Sequence, residues 1–172
     1  ARYWLHANLL TINGQKMAKS LGNFITLEDA FRTHDPLVLR YFIVAGHYGS
    51  VLDFSDSALQ GAETSLQRLQ QTVRILQRKI PTGFSAPGQH LQQYRERFCK
   101  AMDDDFSTPQ ALAVLFEVIH EVHRLLQKDN TATEVFADAL NLFQQLAGDV
   151  LGLLPETELT TNNPELLEQT IN

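Results

Sequence analysis

The sequence has one cysteine, no long hydrophobic run and few cations overall. Cys99 alone excludes an internal disulfide and cannot by itself supply a thiolate-rich zinc site, so we expect an ordinary helix residue. No stretch approaches the ~18 to 20 apolar residues that a membrane helix requires, and residues 1–6 lack the plan of a signal peptide. We therefore expect a soluble, cytoplasmic protein without a membrane partner.

The charge is unevenly distributed along 172 residues, of which 44% are hydrophobic, as in one ordinary globular domain or two small ones. A net charge of −6 argues against broad binding to nucleic acid. Residues 1–80, however, carry nine Lys or Arg against six Asp or Glu, whereas the remainder carries five against fourteen. The first half can meet phosphates, although this signal is weak.

A β-hairpin is predicted near the start of the chain. The dipeptide Asn13-Gly14 separates Leu9–Ile12 from Gln15–Met17, and both central positions of a type I′ turn require positive φ. Lys16 then lies just beyond the turn. The segment from Ala18 to Phe24 has no helical periodicity and indicates a loop.

Helices are predicted for most of the rest. A capping pattern at Thr26–Asp29 opens a short helix to about Arg32, and Asp35-Pro36 opens an apolar, buried helix to about Gly46. A long helix with one narrow apolar seam follows and extends to Ile80. A Pro- and Gly-rich linker covers 81–89, and a helix covers about 89–102. Another helix starts at Thr108-Pro109. The apolar seams are Leu59, Ala62, Leu66, Leu69, Val73, Leu76 and Ile80; Leu112, Leu115, Ile119, Val122 and Leu126; and Phe136, Leu140, Phe143, Ala147, Val150 and Leu154.

These patterns predict a mainly α protein: a short hairpin and loop, a connecting helical region, and an antiparallel helical bundle in which the narrow seams bury one another. We expect boundaries at 1–54 for the hairpin, loop and connecting helices, 55–154 for the bundle, and 155–172 for a polar tail.

The segment Lys16-Met17-Ala18-Lys19-Ser20 carries the clearest chemistry. It places two cations three positions apart on a loop, beside a serine and backbone amides. As pyrophosphate leaves a nucleotide, charge builds on its oxygens, and ammonium groups placed there stabilise the transition state. Taken only as a pair of lysines, the segment favours a solvated loop.

The surrounding residues favour the first interpretation. Lys16–Asn23 closely resembles the KMSKS signature of class I aminoacyl-tRNA synthetases, with Ala18 in place of the usual first serine. Further segments resemble cysteinyl-tRNA synthetases in order and spacing over roughly residues 1–154. They are Tyr3–His6, Asn23-Phe24, Leu39–Phe42, His47–Ser50, Phe54-Ser55 and Met102–Pro109.

The resemblance implies a ligase of protein biosynthesis that activates cysteine with ATP and Mg and transfers it to tRNA(Cys). By position it implies that Lys19 and Lys16 act on ATP, with Met17, Ala18 and Ser20 completing the ATP-binding loop. It also implies a monomer with a zinc site. The HIGH box and the zinc ligands of that family are not in these residues, so we expect no metal ligands here and an inactive isolated segment.

Several alternatives stay open. Arg40, inside the buried helix, forms either a structural ion pair or a contact to RNA or another domain. His47 and Tyr48 either stack on nucleic acid or form a packing corner, and Gly49 replaces the arginine common in the family. For Asp103, Asp104 and Asp105, a solvated or helix-capping role is favoured and a metal site is the alternative. The competing functions are a non-catalytic helical RNA- or protein-binding module and a related cysteine:amino-sugar ligase.

Overall fold

The computed structural model describes residues 2–81, 84, 90–128 and 132–155. The chain divides into two compact units, Ala1–Leu66 and Gln67–Asn172. The described structure is mainly helical with one small sheet, which confirms the predicted fold class. The predicted boundary at residue 54 stays a prediction. Among the described residues, no helix has the length and apolar character needed to cross a membrane.

The first unit contains a three-stranded sheet with β1 (Leu10–Ile12), β2 (Gln15–Lys16) and β3 (Leu52–Phe54) in the order β2-β1-β3. Asn13 and Gly14 have φ of 50° and 77°, so the predicted turn with two positive φ angles is confirmed. Strand β3 pairs parallel to β1, with Leu10 opposite Leu52. Strand β3, which lies forty residues further along the chain, was not predicted.

Two capped helices lie between β2 and β3 in the chain. Helix α1 (Leu27–Thr33) begins at a capping box in which the Thr26 hydroxyl accepts from the Asp29 N–H and the Asp29 carboxylate accepts from the Thr26 N–H. Helix α2 (Pro36–Ala45) begins with the Asp35 carboxylate accepting from the Leu37 N–H at 2.7 Å. Both predicted starts are confirmed.

Helix α3 (Asp56–Lys79) is the longest element, with 24 residues. Its predicted seam is buried throughout, from Leu59 in the first unit to Ile80 in the second. In the first unit, burial raises the pKa of Tyr41 on α2, and its hydrogen bond with Ser65 opposes that rise.

The second unit adds α4 (Gln92–Asp103), α5 (Thr108–Leu126) and α6 (Thr133–Leu142). Helices α4 and α5 run antiparallel, and Arg97 donates two hydrogen bonds to Glu117 at 2.6 and 2.7 Å. The Thr72 hydroxyl of α3 lies 3.2 Å from His123 Nε2 of α5. The bundle core consists of fully buried residues, among them Phe98, Leu115, Ile119, Phe136 and Phe143.

A buried ion pair joins α4 to α6. The Asp138 side chain is 0% exposed, and its Oδ2 accepts from the Leu91 N–H at 2.8 Å. Its Oδ1 lies 2.7 Å from Arg95 Nη2. This second contact has the distance of an ion pair without the alignment of a hydrogen bond. Asp138 therefore accepts from the backbone N–H of the residue before α4 and neutralises the largely buried Arg95.

The last helix departs from the prediction. From Phe143 to Val150 the backbone is π-helical, and the Leu151 N–H donates to the Leu146 carbonyl five residues back. This wider turn shifts the apolar stripe. Val150, predicted as a seam residue, is 55% exposed, whereas Leu146, Leu151 and Leu153 are buried.

Smaller boundaries also differ. The helix predicted over about 89–102 begins at Gln92 and ends at Asp103. The N-cap of α5 is Ser107, with Thr108 already helical. Most of the predicted linker (82, 83 and 85–89) and of the tail (156–172) lies outside the described residues.

Candidate functional site

The hairpin places the predicted lysines on an exposed loop. Lys16 ends β2, and Lys19 begins a short 3₁₀ turn, Lys19–Leu21. Lys16, Lys19 and Ser20 are exposed, whereas Met17 and Ala18 are half-buried. The Met17 N–H donates to the Leu10 carbonyl at 3.4 Å and holds the loop's first residue to the sheet. Both lysine side chains are therefore exposed to solvent, while the start of the loop is held to the sheet.

The side chain of Asn23 ties the two arms of the loop together. Its Oδ1 accepts from the Ala18 N–H at 2.9 Å, and its Nδ2 donates to the Lys16 carbonyl at 3.2 Å. One carboxamide thus satisfies a donor and an acceptor on either side of Met17. The strand pairing of β2 ends at Lys16. The two Asn23 hydrogen bonds therefore mark where β2 ends and the loop begins.

The loop ends in a turn at a glycine whose backbone is in the left-handed helical region. Gly22 has φ of 68°, and its N–H donates to the Lys19 carbonyl at 3.2 Å. This conformation favours glycine at the end of a helical turn. The chain then turns so that the Lys19 ammonium lies over the Phe24 ring, 5.2 Å from its centre. Lys19 rests against its own loop.

Asp53 on β3 holds the hairpin turn from across the sheet. Its Oδ1 accepts from the Gly14 N–H and from the Thr11 hydroxyl, each at 2.7 Å. These hydrogen bonds, first that of Gly14 and then that of Thr11, lower the pKa of Asp53. The parallel strand that was missed therefore carries a carboxylate that fixes the turn beside Lys16.

Arg40 lies on the exposed side of α2, so the expectation of an arginine within a buried helix is wrong. The helix buries Val38, Leu39, Tyr41 and Phe42, but it leaves Ile43 55% exposed. Arg40 borders an open groove of about 460 Å³ between α1 and α2. The remaining lining residues are Leu27, Phe31, Pro36, Leu37, Leu39, Ile43 and Val44.

His47 and Tyr48 stack on each other after α2, with ring centres 4.7 Å apart. The Gly49 N–H donates to His47 Nδ1 at 3.1 Å, and Asn8 bonds the Tyr48 and Gly49 carbonyls. A Cβ at position 49 would lie 3.2 Å from His47 Nδ1, so a larger residue there would require the imidazole to shift. The two rings thus stack on each other and stay partly exposed.

The aspartate run ends α4 without forming a metal site. Within the described part of the chain, no three His, Cys, Asp or Glu side chains converge as a metal-binding group. Asp105 and Phe106 both have positive φ, 52° and 50°, in the turn between α4 and α5. The Ser107 N–H donates to the carbonyls of Ala101 and Asp104. The described residues thus do not offer a ligand set that fits zinc.

Two family models match the chain in the order of these units. Residues 1–64 match the class I (C) catalytic domain of tRNA synthetases, and residues 97–155 match the DALR domain. The Cysteine--tRNA ligase of Chlorobaculum tepidum is 39% identical over 173 residues, which are 99% of this chain and 35% of that protein. The Deinococcus radiodurans enzyme of the same name is 38% identical over 91% of this chain and 32% of its own length.

The chain belongs to the cysteine--tRNA ligase family. The family resemblance seen in the sequence is thereby confirmed. The Cysteine--tRNA ligase of Pseudomonas aeruginosa is 40% identical over 92% of this chain and 33% of its own length. The chain thus spans about a third of the length of the curated relatives it matches.

Three residues of this chain support the loop and were not predicted: Asn23, Phe24 and Asp53. Asn23 and Phe24 lie within segments that resemble the family, yet no role follows from their residue types. Asp53 sits between two apolar residues, Leu52 and Phe54, in a strand of three. This alternation was the only signal, and it is too short to be decisive.

Proposed function

We propose that this chain is the ATP-loop and helical-bundle segment of a cysteine--tRNA ligase, which activates cysteine with ATP and transfers it to tRNA(Cys). The observation that carries the proposal is the loop itself. Two exposed lysines three positions apart stand on a hairpin whose turn and base are held by Asp53 and Asn23. That loop lies within the residues that match the class I catalytic domain.

Lys19 and Lys16 act on the triphosphate in this proposal. Their ammonium groups stabilise the charge that develops on the pyrophosphate oxygens as the cysteine carboxylate attacks the α-phosphorus. The Ser20 hydroxyl and the backbone N–H groups near Met17 and Ala18 serve as further donors to the nucleotide. Because both lysines are exposed and solvent screens their charge, they become effective only when the nucleotide excludes water from the loop.

The remaining parts of the proposal concern partners. ATP enters with Mg, and the bundle faces the tRNA. Arg40, His47 and Tyr48 contact RNA or a neighbouring domain; the exposure of Arg40 beside an apolar groove supports such a contact. Zinc is expected of the family, but the described residues provide no ligand set that would hold it. We also propose that the ligase is a monomer and that it works in the cytoplasm.

The test uses a complete ligase that contains this segment. Cysteine-dependent pyrophosphate exchange should fall about 10²-fold or more in Lys19→Ala, as when one oxyanion-stabilising donor is removed, with a smaller change in KM for cysteine. An unchanged exchange rate would refute the role of Lys19. A comparison of cysteine transfer to tRNA(Cys) with transfer to an amino sugar then distinguishes the proposed ligase from the related cysteine:amino-sugar ligase. Failure of both acceptors, with RNA binding retained, would favour the non-catalytic module.

A further inference from the structure

Helix α2 is apolar on every side. Arg40 is the only charged residue among its ten. A helix at the surface of a folded protein normally shows a polar face, whereas a helix that is apolar all round is a buried one. One side of α2 is buried in this unit, but Ile43 on the other side is 55% exposed. The outer face of α2 therefore has the composition of a buried surface and the exposure of an open one.

This outer face forms one wall of the groove of about 460 Å³ between α1 and α2. On α1, Leu27 and Phe31 stand one turn apart and are 63% and 47% exposed. On α2, Arg40 and Ile43 are three residues apart, so they also share one face. Arg40 carries the only charge among the described residues that line the groove. An arginine among exposed aromatic and aliphatic side chains is the composition of an interface core.

The chemistry of the groove selects a protein segment. Arg40 has no ion-pair or hydrogen-bond partner among the described residues. A guanidinium covered against apolar walls requires a carboxylate, with which it can form two parallel hydrogen bonds. A nucleic-acid backbone is held by several cations, and these walls offer one. The groove therefore fits an apolar segment that carries an Asp or a Glu.

The position of the groove points to where that segment comes from. Leu27 lines the groove and also a small cavity of about 60 Å³ that Met17 lines at the base of the lysine loop. One side chain thus borders both the groove and the loop. Residues 1–64, which contain both, match a catalytic domain, and the chain spans about a third of the length of the curated relatives. A surface that adjoins the loop within such a domain is one on which further residues of the same protein would pack.

We infer that the α1/α2 groove is a docking site inside the complete ligase, and that its occupant is an apolar segment with a carboxylate from outside these 172 residues. The inference deepens the proposed function and rests on it. It assigns Arg40 to a protein contact rather than to RNA. In the docked state the carboxylate pairs with Arg40, and the apolar side chains of the segment cover Phe31 and Ile43. Because Leu27 is shared, docking also fixes one wall of the cavity next to Met17.

The first test measures how fast a maleimide labels a cysteine in the groove. Ile43→Cys is made in a Cys99→Ser background, because Cys99 is exposed, and mass spectrometry identifies the labelled peptide. In the complete ligase, position 43 should react about tenfold more slowly than in the 172-residue chain, because the docked segment covers it. The matched control is Ala45→Cys, at an exposed position of the same helix that does not line the groove. It should react at similar rates in both proteins.

Three outcomes of this labelling would overturn the inference. Equal rates at position 43 in the two proteins would show that the groove stays open. Slower labelling of the 172-residue chain in the presence of tRNA would assign the groove to RNA. Slower labelling as the concentration of that chain rises would assign it to a second copy.

The second test measures the Arg40 ion pair through stability. In the complete ligase, Arg40→Leu leaves a buried carboxylate without its partner, so the melting temperature should fall by about 4 °C or more. Arg40→Lys keeps the cation and should retain much of that stability. In the 172-residue chain Arg40 is exposed, so Arg40→Leu should change the melting temperature by about 1 °C or less. Equal changes in the two proteins would contradict the ion pair.

Arg32 supplies the control for that measurement. Its guanidinium pairs with Glu28 in solvent, 2.8 Å away on the same helix. Water replaces such a partner at little cost, so Arg32→Leu should lower the melting temperature only slightly in either protein. A loss in the complete ligase as large as that of Arg40→Leu would show that any arginine on this unit has the same effect, and the groove would lose its special role.

The docking site and the proposed function can fail separately. If Lys19→Ala abolishes pyrophosphate exchange while position 43 reacts equally in both proteins, the docking site is wrong and the proposed function survives. If position 43 is protected in the complete ligase while Lys19→Ala leaves the exchange rate unchanged, the docking site stands and the role of Lys19 is wrong.

Discussion

The Lys19 ammonium lies 5.2 Å from the centre of the Phe24 ring, so the loop holds one of its two cations against its own aromatic face. Lys19 can contact a triphosphate and stay over the ring only if the nucleotide contacts both the Lys19 ammonium and the Phe24 ring. The contact is exposed, and such cation–π pairs contribute about 0.5 to 1 kcal/mol. The resting position of Lys19 is thus weakly held.

The first prediction follows from that weak contact. Phe24→Leu removes the aromatic face, so the resting position loses stability and the apparent affinity for ATP should rise about two- to fivefold. Phe24→Tyr keeps the face and is the matched control, with no change expected. The measurement is the ATP dependence of pyrophosphate exchange in a complete ligase. A weaker affinity in the leucine variant would mean that Phe24 instead holds Lys19 where ATP needs it.

The second prediction concerns the Asn23 clamp. Asn23→Ala should speed amide exchange at Ala18 about five- to tenfold, because a hydrogen bond of net ~1 kcal/mol is lost, and should speed tryptic cleavage after Lys16 and Lys19. Asn23→Asp retains an acceptor for the Ala18 N–H but loses the donor to the Lys16 carbonyl. It should keep most of the protection at Ala18. Equal protection in wild type and the alanine variant would show that the sheet alone orders the loop.

The local elements of the first unit could be predicted because each has its own signal. The Asn13-Gly14 turn, the Thr26 box and the Asp35-Pro36 start all depend on residues within four positions of one another. Strand β3 has no such signal. It has three residues and pairs with β1 across two helices, so only the folded chain brings Leu52 opposite Leu10.

The same reason separates the predicted from the unpredicted parts of the site. The lysines are visible in a linear motif, whereas Asp53 acts on Gly14 from 39 residues away. In the last helix, the predicted seam residues Ala147 and Leu154 are buried, but Val150 is exposed because the backbone widens to a π-helix from Phe143. Residue types such as Val150 and Leu151 do not reveal that change of period.

The third prediction uses the lowered pKa of Asp53. The charged carboxylate is favoured in the folded hairpin, so its stabilisation is present above the ordinary pKa of 3.8 and is lost as pH falls through the lower folded value. Acidification below about pH 4 should therefore shift and broaden the Gly14 amide resonance. Asp53→Asn keeps an oxygen acceptor but cannot titrate, so the shift should disappear there. The same acid shift in the asparagine variant would assign it to another group.

The fourth prediction concerns the buried pair between α4 and α6. Arg95→Leu leaves Asp138 charged and fully buried, which should lower the free energy of unfolding by about 3 kcal/mol or more. In Arg95→Leu/Asp138→Asn the charge is gone, while an amide oxygen can still accept from the Leu91 N–H. This double variant should recover much of the loss, and urea unfolding followed by circular dichroism measures both.

Arg97 provides the matched control for that experiment, because it sits on the same helix and pairs with Glu117 in solvent. Its side chain is 50% exposed, compared with 16% for Arg95. Water replaces an exposed partner at little cost, so Arg97→Leu should move the unfolding midpoint far less than Arg95→Leu does. If the two single variants unfold at the same urea concentration, or if the double variant is no more stable than Arg95→Leu, the destabilisation does not come from an uncompensated charge at Asp138. The lost packing of the arginine stem against the bundle would then explain the result.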